Sequence, residues 1–394
     1  MSKTRAYLFV LPWSVTATGG VNEVVLNLYR HFETGGVYTP KILVTSWHRV
    51  RSSDPRGQGR YVDYMRFRPP IVSSAPVVSM AKWLICLLPD LFHLARYLRS
   101  NGVAVVNVHY PSLCALQFVL ARLFFHQKLR VILSFHGLDL VHSLQTRGVE
   151  RWLWRLLLRK ADAVVGCSDA QKESISVLEP SIKPLVKTIH NGVDIDYLTS
   201  MCNPCARVDA RLEGRPFILS VAAYQRKKGL DTLLHAFKLL HDDGCHETML
   251  AMVGGDGGLG NELRNTAAEL GLSDHVVFCG EIPHSNLHAY FEAASVFCLP
   301  SRYEPFGIVL LEAGAFRCPV VATSVGGITE ILNDNVNAYL VPPDQPMALA
   351  AQLRGLLNDI GDRRRLAAAL FEHVRMHFTW KRAYDSYLKL CEYD

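Results

Sequence analysis

The stretch Val296-Phe297-Cys298-Leu299-Pro300-Ser301-Arg302-Tyr303-Glu304-Pro305-Phe306-Gly307-Ile308-Val309-Leu310-Leu311-Glu312 reads as a buried strand, Val296 to Leu299, that runs through a loop into a helix. It carries two carboxylates eight positions apart, Glu304 in the loop and Glu312 in the helix. Eight residues of helix rise about 12 Å, which suits the two ends of an extended ligand better than one shared proton. Between the carboxylates, the free N–H groups at the helix start, near Phe306, Gly307 and Ile308, favour an anion. A sugar at the first carboxylate, a phosphate at the helix start and a ribose at the second describe a nucleotide-sugar. The plainer alternative is a surface Glu followed by a Glu that complements the helix dipole.

The rest of the chain supplies a frame for this stretch. With 394 residues it is too long for one ordinary core and long enough for two domains. A hydrophobic share of 49% and a charged share of 20% describe a globular protein with large cores. No run reaches the roughly 18 uninterrupted apolar residues of a membrane span, and the N-terminus enters a strand pattern without a signal-peptide layout. A cytoplasmic protein is therefore expected. The ten cysteines fall mostly on core-like positions, such as Cys167, Cys279 and Cys298, as reduced thiols do. Cys202-Asn203-Pro204-Cys205 has a metal-like spacing, but no second pair follows it. Charge is uneven: residues 1–200 hold 24 Lys/Arg against 13 Asp/Glu, and residues 201–394 hold 18 against 23. The basic half is the one expected to meet something anionic.

Both halves alternate short β-branched runs with helical periods. In the first, Ala6–Val10, Lys41–Val44, Val103–Val108, Arg130–Ser134, Ala163–Gly166 and Val186–Ile189 read as strands, with a helix carrying Val21, Val24, Val25, Leu28 and Phe32 on one face. In the second, the strands are Phe217–Val221, Met249–Val253, Val276–Phe278, Val296–Leu299, Pro319–Ala322 and Ala338–Val341. Continuous apolar strands between helices imply parallel sheets covered on both faces. Cys, Pro, Asn and Gly accumulate at residues 198–214, the expected joint.

Several loops fall at strand ends, where such folds bind ligands. Gly19-Gly20 opens the first helix, where missing Cβ atoms let backbone N–H groups approach a phosphate or sugar; the pattern is not the dinucleotide G-x-G-x-x-G. His109-Tyr110-Pro111 and Ser134-Phe135-His136-Gly137-Leu138-Asp139 each follow a strand directly. Arg226-Lys227-Lys228-Gly229 sets three cations at the mouth of the second sheet, as a diphosphate requires. Against these stand duller readings: turn glycines, structural histidines and a solvated basic face.

The segment Ser301 to Gly307, continued by Glu312-Ala313-Gly314-Ala315, resembles the E-x7-E signature of retaining GT-B glycosyltransferases, in particular glycosyltransferase family 4. The resemblance extends over nearly the whole chain. It implies an α/β GT-B fold of two doubly wound, Rossmann-like parallel-sheet domains facing across a deep cleft. Residues 1–200 would form the acceptor-side domain, joined by a cross-over helix in residues 376–394, and residues 201–375 the donor-binding domain. It also implies transfer from a UDP- or GDP-sugar to a hydroxyl of a lipid-linked oligosaccharide, polysaccharide or other glycan. No metal or other cofactor and no nucleic acid are expected.

Residue by residue, the resemblance implies that Glu304 holds hydroxyls of the transferred sugar, Glu312 the ribose, Arg226 and Lys228 the diphosphate, and His136 the sugar face. Asp139 would order the loop of His136, Gly19 and Gly20 would meet donor and acceptor, Gly254 and Gly255 would approach the nucleotide, and the loop of Gly280-Glu281-Ile282-Pro283 would read the base edge. Lys228-Gly229 matches the family pattern, whereas Ala223 stands where the family has Arg, so Arg226 has to supply the second cation while Lys227 points elsewhere. Val325-Gly326-Gly327 is a typical family turn. Asp194-Ile195-Asp196 looks like a metal-binding D-x-D, but it belongs to His190-Asn191-Gly192-Val193-Asp194, which resembles the family's exit from the first domain. Two rival functions remain: an epimerase or hydrolase of nucleotide-sugars, and a binder without turnover.

The segment from Pro69 to Leu98 is unusual. It contains Ile71, Val72, Val77, Val78, Trp83, Leu84, Ile85, Leu87, Leu88, Leu91 and Phe92, flanked by Arg66, Arg68, Lys82, Arg96 and Arg99. A core helix with a basic edge and an amphipathic patch on an anionic inner leaflet, with Trp83 and Leu87 facing lipid, are both open.

Overall fold

The computed structural model describes residues 5–17, 19–45, 62–71, 75–125 and 128–392. Thr18 and Val72 lie outside the described residues. The chain divides into two compact units, Met1–His190 with Trp380–Asp394, and Asn191–Thr379.

The first unit is built on seven parallel strands: β1 (Ala6–Leu11), β2 (Thr39–Val44), β3 (Val62–Tyr64), β4 (Val103–His109), β5 (Arg130–Phe135), β6 (Ala163–Gly166) and β7 (Val186–Thr188). Their order is β3-β2-β1-β4-β5-β6-β7. The central strands are buried along their length because helices cover both faces, hence their unbroken apolar runs. β3 is the strand that the sequence reading lacks; at three residues it is too short to show a period. The second unit repeats the scheme with β8 (Phe217–Val221), β9 (Met249–Val253), β10 (Val276–Gly280), β11 (Val296–Leu299), β12 (Val320–Thr323) and β13 (Tyr339–Val341), again parallel, in the order β10-β9-β8-β11-β12-β13. In each sheet the direction of growth reverses once, between β1 and β4 and between β8 and β11. The loops leaving those strands diverge, which opens a crevice at the carboxyl ends of the strands.

The division falls at 190/191, ten residues before the joint expected at 200/201. The reason is local: Val193 N donates to Phe378 O at 2.8 Å, and Asn203 N to Ser285 O at 2.8 Å, which ties the connecting segment to the second unit. Asp194 is an N-cap, accepting from Tyr197 N at 3.1 Å, so its carboxylate serves the helix Ile195–Ser200.

The chain returns to the first unit as the helix Trp380–Lys389, which buries Trp380, Ala383, Tyr384 and Tyr387. Tyr384 lies so close to the helix Gly20–Gly35 that a Cβ at Gly35 would sit 2.0 Å from its hydroxyl oxygen. Tyr387 donates to Ser134 Oγ at 3.0 Å, Ser134 donates to Asn107 Oδ1 at 2.8 Å, and Asn107 Nδ2 donates to Tyr7 Oη at 3.0 Å. This buried chain of hydrogen bonds stitches the returning helix to β5, β4 and β1.

The helix Pro76–Ser100 settles the reading of the apolar segment. Trp83, Leu91, Leu94, Ala95 and Leu98 are buried, and Leu87 packs partly against the core. Trp83 is therefore a core residue, which decides between the two open readings for that side chain; the outward side chains are Val77, Val78, Leu84, Ile85, Leu88 and Phe92. Although charges interrupt its apolar run, the helix is long and apolar enough to cross a membrane by length and composition, with mean hydropathy 1.5.

Candidate functional site

In the second unit the site grows from the loops that follow β8 and β11, the two strands at the switch point. After β8 the chain makes a single tight turn, Arg226–Lys228, and Gly229 starts the helix Leu230–Asp242 at φ 63°. A side chain is excluded there twice over, because a Cβ would lie 2.1 Å from the Pro300 carbonyl oxygen at the end of β11. This contact brings the two loops together.

Arg302 locks them. Its guanidinium donates to Asp231 Oδ1 and Oδ2, both at 2.8 Å, to Asp344 Oδ1 at 2.6 Å, to Thr232 Oγ1 at 3.1 Å and to the Arg226 carbonyl at 2.7 Å. The Lys227 carbonyl in turn accepts from Arg302 N and Tyr303 N at 2.8 and 3.2 Å. Nothing in the sequence flagged this residue.

Glu304 is the product of that frame. It is 6% exposed, and its Oε2 accepts from Lys228 Nζ at 2.6 Å and from the buried Ser301 hydroxyl at 3.3 Å. A carboxylate out of water needs such a partner. Burial and the neighbouring Lys228 ammonium lower the Lys227 amine, while Glu304 opposes the change. Arg226 is turned the other way, donating to Glu262 at 3.1 and 3.2 Å on an open surface.

From Glu304 the chain passes Phe306, buried against the ring of Phe378, to Gly307, which starts the helix Ile308–Ala315 at φ 101°. No side chain caps that helix and no acid lies in its first turn, so its N-terminal N–H groups suit an anion. Glu312, further along the helix, pairs with His284 Nε2 at 2.9 Å. Gly326 and Gly327 buttress the loop from below. Gly327 N donates to Glu304 O at 3.0 Å, and Cβ atoms at the two glycines would lie 2.2 Å from Glu304 O and 2.5 Å from Phe306 Cα. Their role is to hold Glu304. After β9, Gly254 at φ 151° lies against the Ala222 carbonyl, where a Cβ would be 2.0 Å away, and one at Gly255 would be 2.2 Å from Glu281 Oε1. Ile282 is half-buried just after β10.

In the first unit the loops after β1, β4 and β5 hold the remaining candidates. Gly19, at φ 150°, and Gly20 are exposed at the start of their helix, while buried Asn22 knits the preceding loop by donating to Ser14 O and Ala17 O at 3.0 and 2.6 Å and accepting from Trp13 Nε1 at 3.0 Å. His109, wholly buried, shares a hydrogen bond of 2.9 Å between its Nδ1 and Nε2 of the half-buried His136. Burial holds His136 down at about 4, and burial together with the His136 ring holds His109 well below the usual imidazole range, so both are neutral. Asp139 is 4% exposed and turned inward, accepting from the backbone N–H groups of His136, Gly137 and Leu140. It orders the loop; burial raises its carboxyl to about 6 in spite of those bonds.

Residues 18–197 match the family model described as Glycosyltransferase Family 4, and residues 206–372 the one described as Glycosyl transferases group 1. The chain belongs to these glycosyltransferases, and its two Rossmann-like sheets have the GT-B fold. It is similar to D-inositol 3-phosphate glycosyltransferase 1 of Catenulispora acidiphila, 31% identical over 240 residues, which are 59% of this chain and 57% of that protein. The chain thus spans about half the length of the curated relatives it matches. Among solved structures it is similar to a glycosyltransferase from Rickettsia africae (TM-score 0.76, 20% identity) and to HepE of Anabaena in complex with UDP (TM-score 0.75, 16% identity), each over 98% of both chains. At those identities the likeness speaks for the fold.

Two outcomes follow from the packing. Gly327→Ala pushes a methyl into the backbone beneath Glu304 and should lower the melting temperature by several degrees, whereas Gly355→Ala, with open space around it in the helix Pro346–Asn358, should raise it slightly. Equal melting temperatures for the two variants would remove the buttress.

The histidine pair makes stability depend on pH. An imidazole that ionises near 6.5 when unfolded but only near 4 when folded contributes stability that is complete above pH 6.5 and is lost as pH falls toward 4. Asp139, shifted upward, works in the opposite sense between its unfolded value and about 6 and offsets part of the loss. His136 alone should cost about 1–2 kcal/mol at pH 5 relative to pH 7.5, read from urea unfolding. His109→Phe, which keeps a buried ring, should shrink the drop; an unchanged drop would show that this pair does not cause it.

Proposed function

We propose that this protein is a retaining glycosyltransferase that moves a sugar from a nucleoside diphosphate, UDP or GDP, to a hydroxyl of a glycan or lipid-linked acceptor. The observation that carries the reading is the Lys228–Glu304 pair at the ends of β8 and β11, beside an uncapped helix start, with Glu312 further along that same helix. Cation, anion-seeking N–H groups and two separate carboxylates follow the order of diphosphate, sugar and ribose in such a donor. The Anabaena neighbour was solved with UDP and with UDP-glucose, which supports a donor of this class.

In the proposed reaction the bond between the anomeric carbon and the diphosphate oxygen breaks, and the acceptor oxygen bonds to the same face of that carbon. The acceptor's proton passes to the departing phosphate, so no side chain has to act as a strong base. Lys228, joined by Arg226 once it leaves Glu262, offsets the charge on the leaving group. Glu304 holds sugar hydroxyls, Glu312 the ribose and His136, neutral, the sugar face. By the family resemblance no metal is required, and EDTA should leave turnover unchanged. The ten cysteines, none of them joined in a disulfide, support a reducing, cytoplasmic setting. A second reading, binding of nucleotide-sugar without turnover, is favoured by Ala223 and by the engagement of Arg226 with Glu262.

A panel of UDP-, GDP- and ADP-sugars scored by thermal shift identifies the donor, since a ligand at 100 times its dissociation constant stabilises by about 2.7 kcal/mol. Glu312→Gln should weaken donor and free nucleotide together. Glu304→Gln should mostly lower kcat, because its partner is the sugar whose ring flattens in the transition state. Equal losses of nucleotide affinity in both variants would contradict these separate roles.

Lys228→Ala should cost about 2–4 kcal/mol in kcat/KM. Arg226→Ala should cost less, its guanidinium being 70% exposed and held by Glu262. A wild type that binds donor but forms no product, together with a silent Arg226→Ala, would favour the binder.

A further inference from the structure

The helix Pro76–Ser100 belongs to the core on one side only. Its outward side carries Val77, Ile85, Leu88 and Phe92, exposed by 79%, 77%, 70% and 65%, with Val78 and Leu84 beside them. At 1.5 Å per residue this stripe runs about 22 Å from Val77 to Phe92. Water is a poor neighbour for so many large side chains in one row.

The exposed charges of the helix itself have one sign. Lys82, Arg96 and Arg99 are exposed on the same helix, at helical spacings that bring them onto the outward side with Ile85 and Phe92. The helix's single carboxylate, Asp90, is half-buried and receives Arg68 Nη1 at 2.7 and 3.0 Å. The neighbouring helix Leu116–Phe125, which packs on it, adds exposed Leu123 and Phe124.

We propose that this face docks on an anionic lipid bilayer, the helix lying in the plane of the interface with its outward side chains among the acyl chains and its cations at the phosphates. Apolar side chains rimmed by cations, with no carboxylate among them, match an interfacial helix on anionic lipid. A second copy of the chain fits less well, because a two-fold contact through this face sets Lys82, Arg96 and Arg99 against their own copies. Spanning is excluded for the folded unit, since Trp83, Leu91, Leu94 and Leu98 are committed to the core that covers the sheet. The inference does not rest on the donor or the reaction proposed above.

Co-sedimentation with vesicles tests it. The full chain should bind vesicles of 70% phosphatidylcholine and 30% phosphatidylglycerol at 0.1 M salt, and bind at least tenfold less in 1 M salt, where the Debye length falls from about 10 to about 3 Å. Pure phosphatidylcholine should bind it weakly at either salt. Ile85→Ser with Leu88→Ser should lower binding at least tenfold with an unchanged melting temperature. Lys82→Glu with Arg96→Glu should abolish the preference for phosphatidylglycerol. Trp83→Ser, in contrast, should lower the melting temperature, as buried hydroxyls in a cavity do. A wild type that fails to bind phosphatidylglycerol vesicles at low salt overturns the proposal, as does a serine pair that binds like wild type. A dimer in light scattering that the serine pair converts to monomer also overturns it, in favour of a subunit interface.

Discussion

A carboxylate removed from water has to be answered by a cation, and in the second unit Glu304 imposes that demand on everything around it. Its answer, Lys228, comes from a loop 76 residues earlier in the chain, so the two loops must be held at hydrogen-bonding distance before any ligand arrives. Three devices do so without touching the pair. Gly229 lets the first loop close on the Pro300 carbonyl, Arg302 ties both loops to Asp231 and Asp344, and Gly326-Gly327 supports Glu304 from below. Removing one partner of such a pair leaves a buried charge alone, which costs far more than the pair contributes when intact. The pair is therefore a poor choice for stability, and under the proposed function it has its charges in place before a nucleotide-sugar binds.

The first unit meets the same geometric problem with neutral groups. His109 ends β4 and His136 follows β5, adjacent strands of one sheet whose register sets His109 opposite Ser134. The two imidazoles end in one hydrogen bond because the strands fix their spacing. Burial keeps both uncharged, so the pair adds no charge to the loops that hold it. Asp139 spends its carboxylate on the backbone of the same loop. The returning helix completes the arrangement from the far end of the chain, through Tyr387, Ser134, Asn107 and Tyr7.

How far this was legible in the sequence depended on how local each signal is. Strands buried on both faces are continuous apolar runs, and Phe217–Val221, Met249–Val253 and Val296–Leu299 can be read without any partner, whereas Val62–Tyr64 is too short. The placing of Lys228 and Glu304 at strand ends, with Glu312 in the helix beyond, was legible from motifs of fixed spacing. Arg302 was in view within the same motif, but its partners lie 71 and 42 residues away, and no spacing rule connects them. The helix Pro76–Ser100 stayed open for a different reason. It is apolar on both sides, so periodicity cannot say whether Trp83 or Ile85 faces the core; only the packing of Leu91, Leu94 and Leu98 on the sheet decides it. The unit boundary escaped because composition marks a loop, whereas the backbone bond from Val193 to Phe378 marks which side the loop belongs to.

The alanine at position 223 raises the question of where a second cation comes from, and the ion pairs themselves rank the candidates. Arg302 is committed: four hydrogen-bonding groups surround its guanidinium, and withdrawing it would leave Asp231 unpaired and open the frame that holds Glu304. Lys227 lies within reach of Glu304 electrostatically, but burial already disfavours its charged form, so it is a costly place to store a permanent cation. Arg226 sits in a pair whose partners are 70% and 52% exposed, and exposed pairs of that kind are worth about 0–1 kcal/mol. Under the proposed function, a diphosphate at the end of β8 would carry more charge than Glu262 and would outcompete a contact that weak. Arg226 is thus the cation that can move at least cost, on the loop whose other end is already pinned by Lys228 and Gly229.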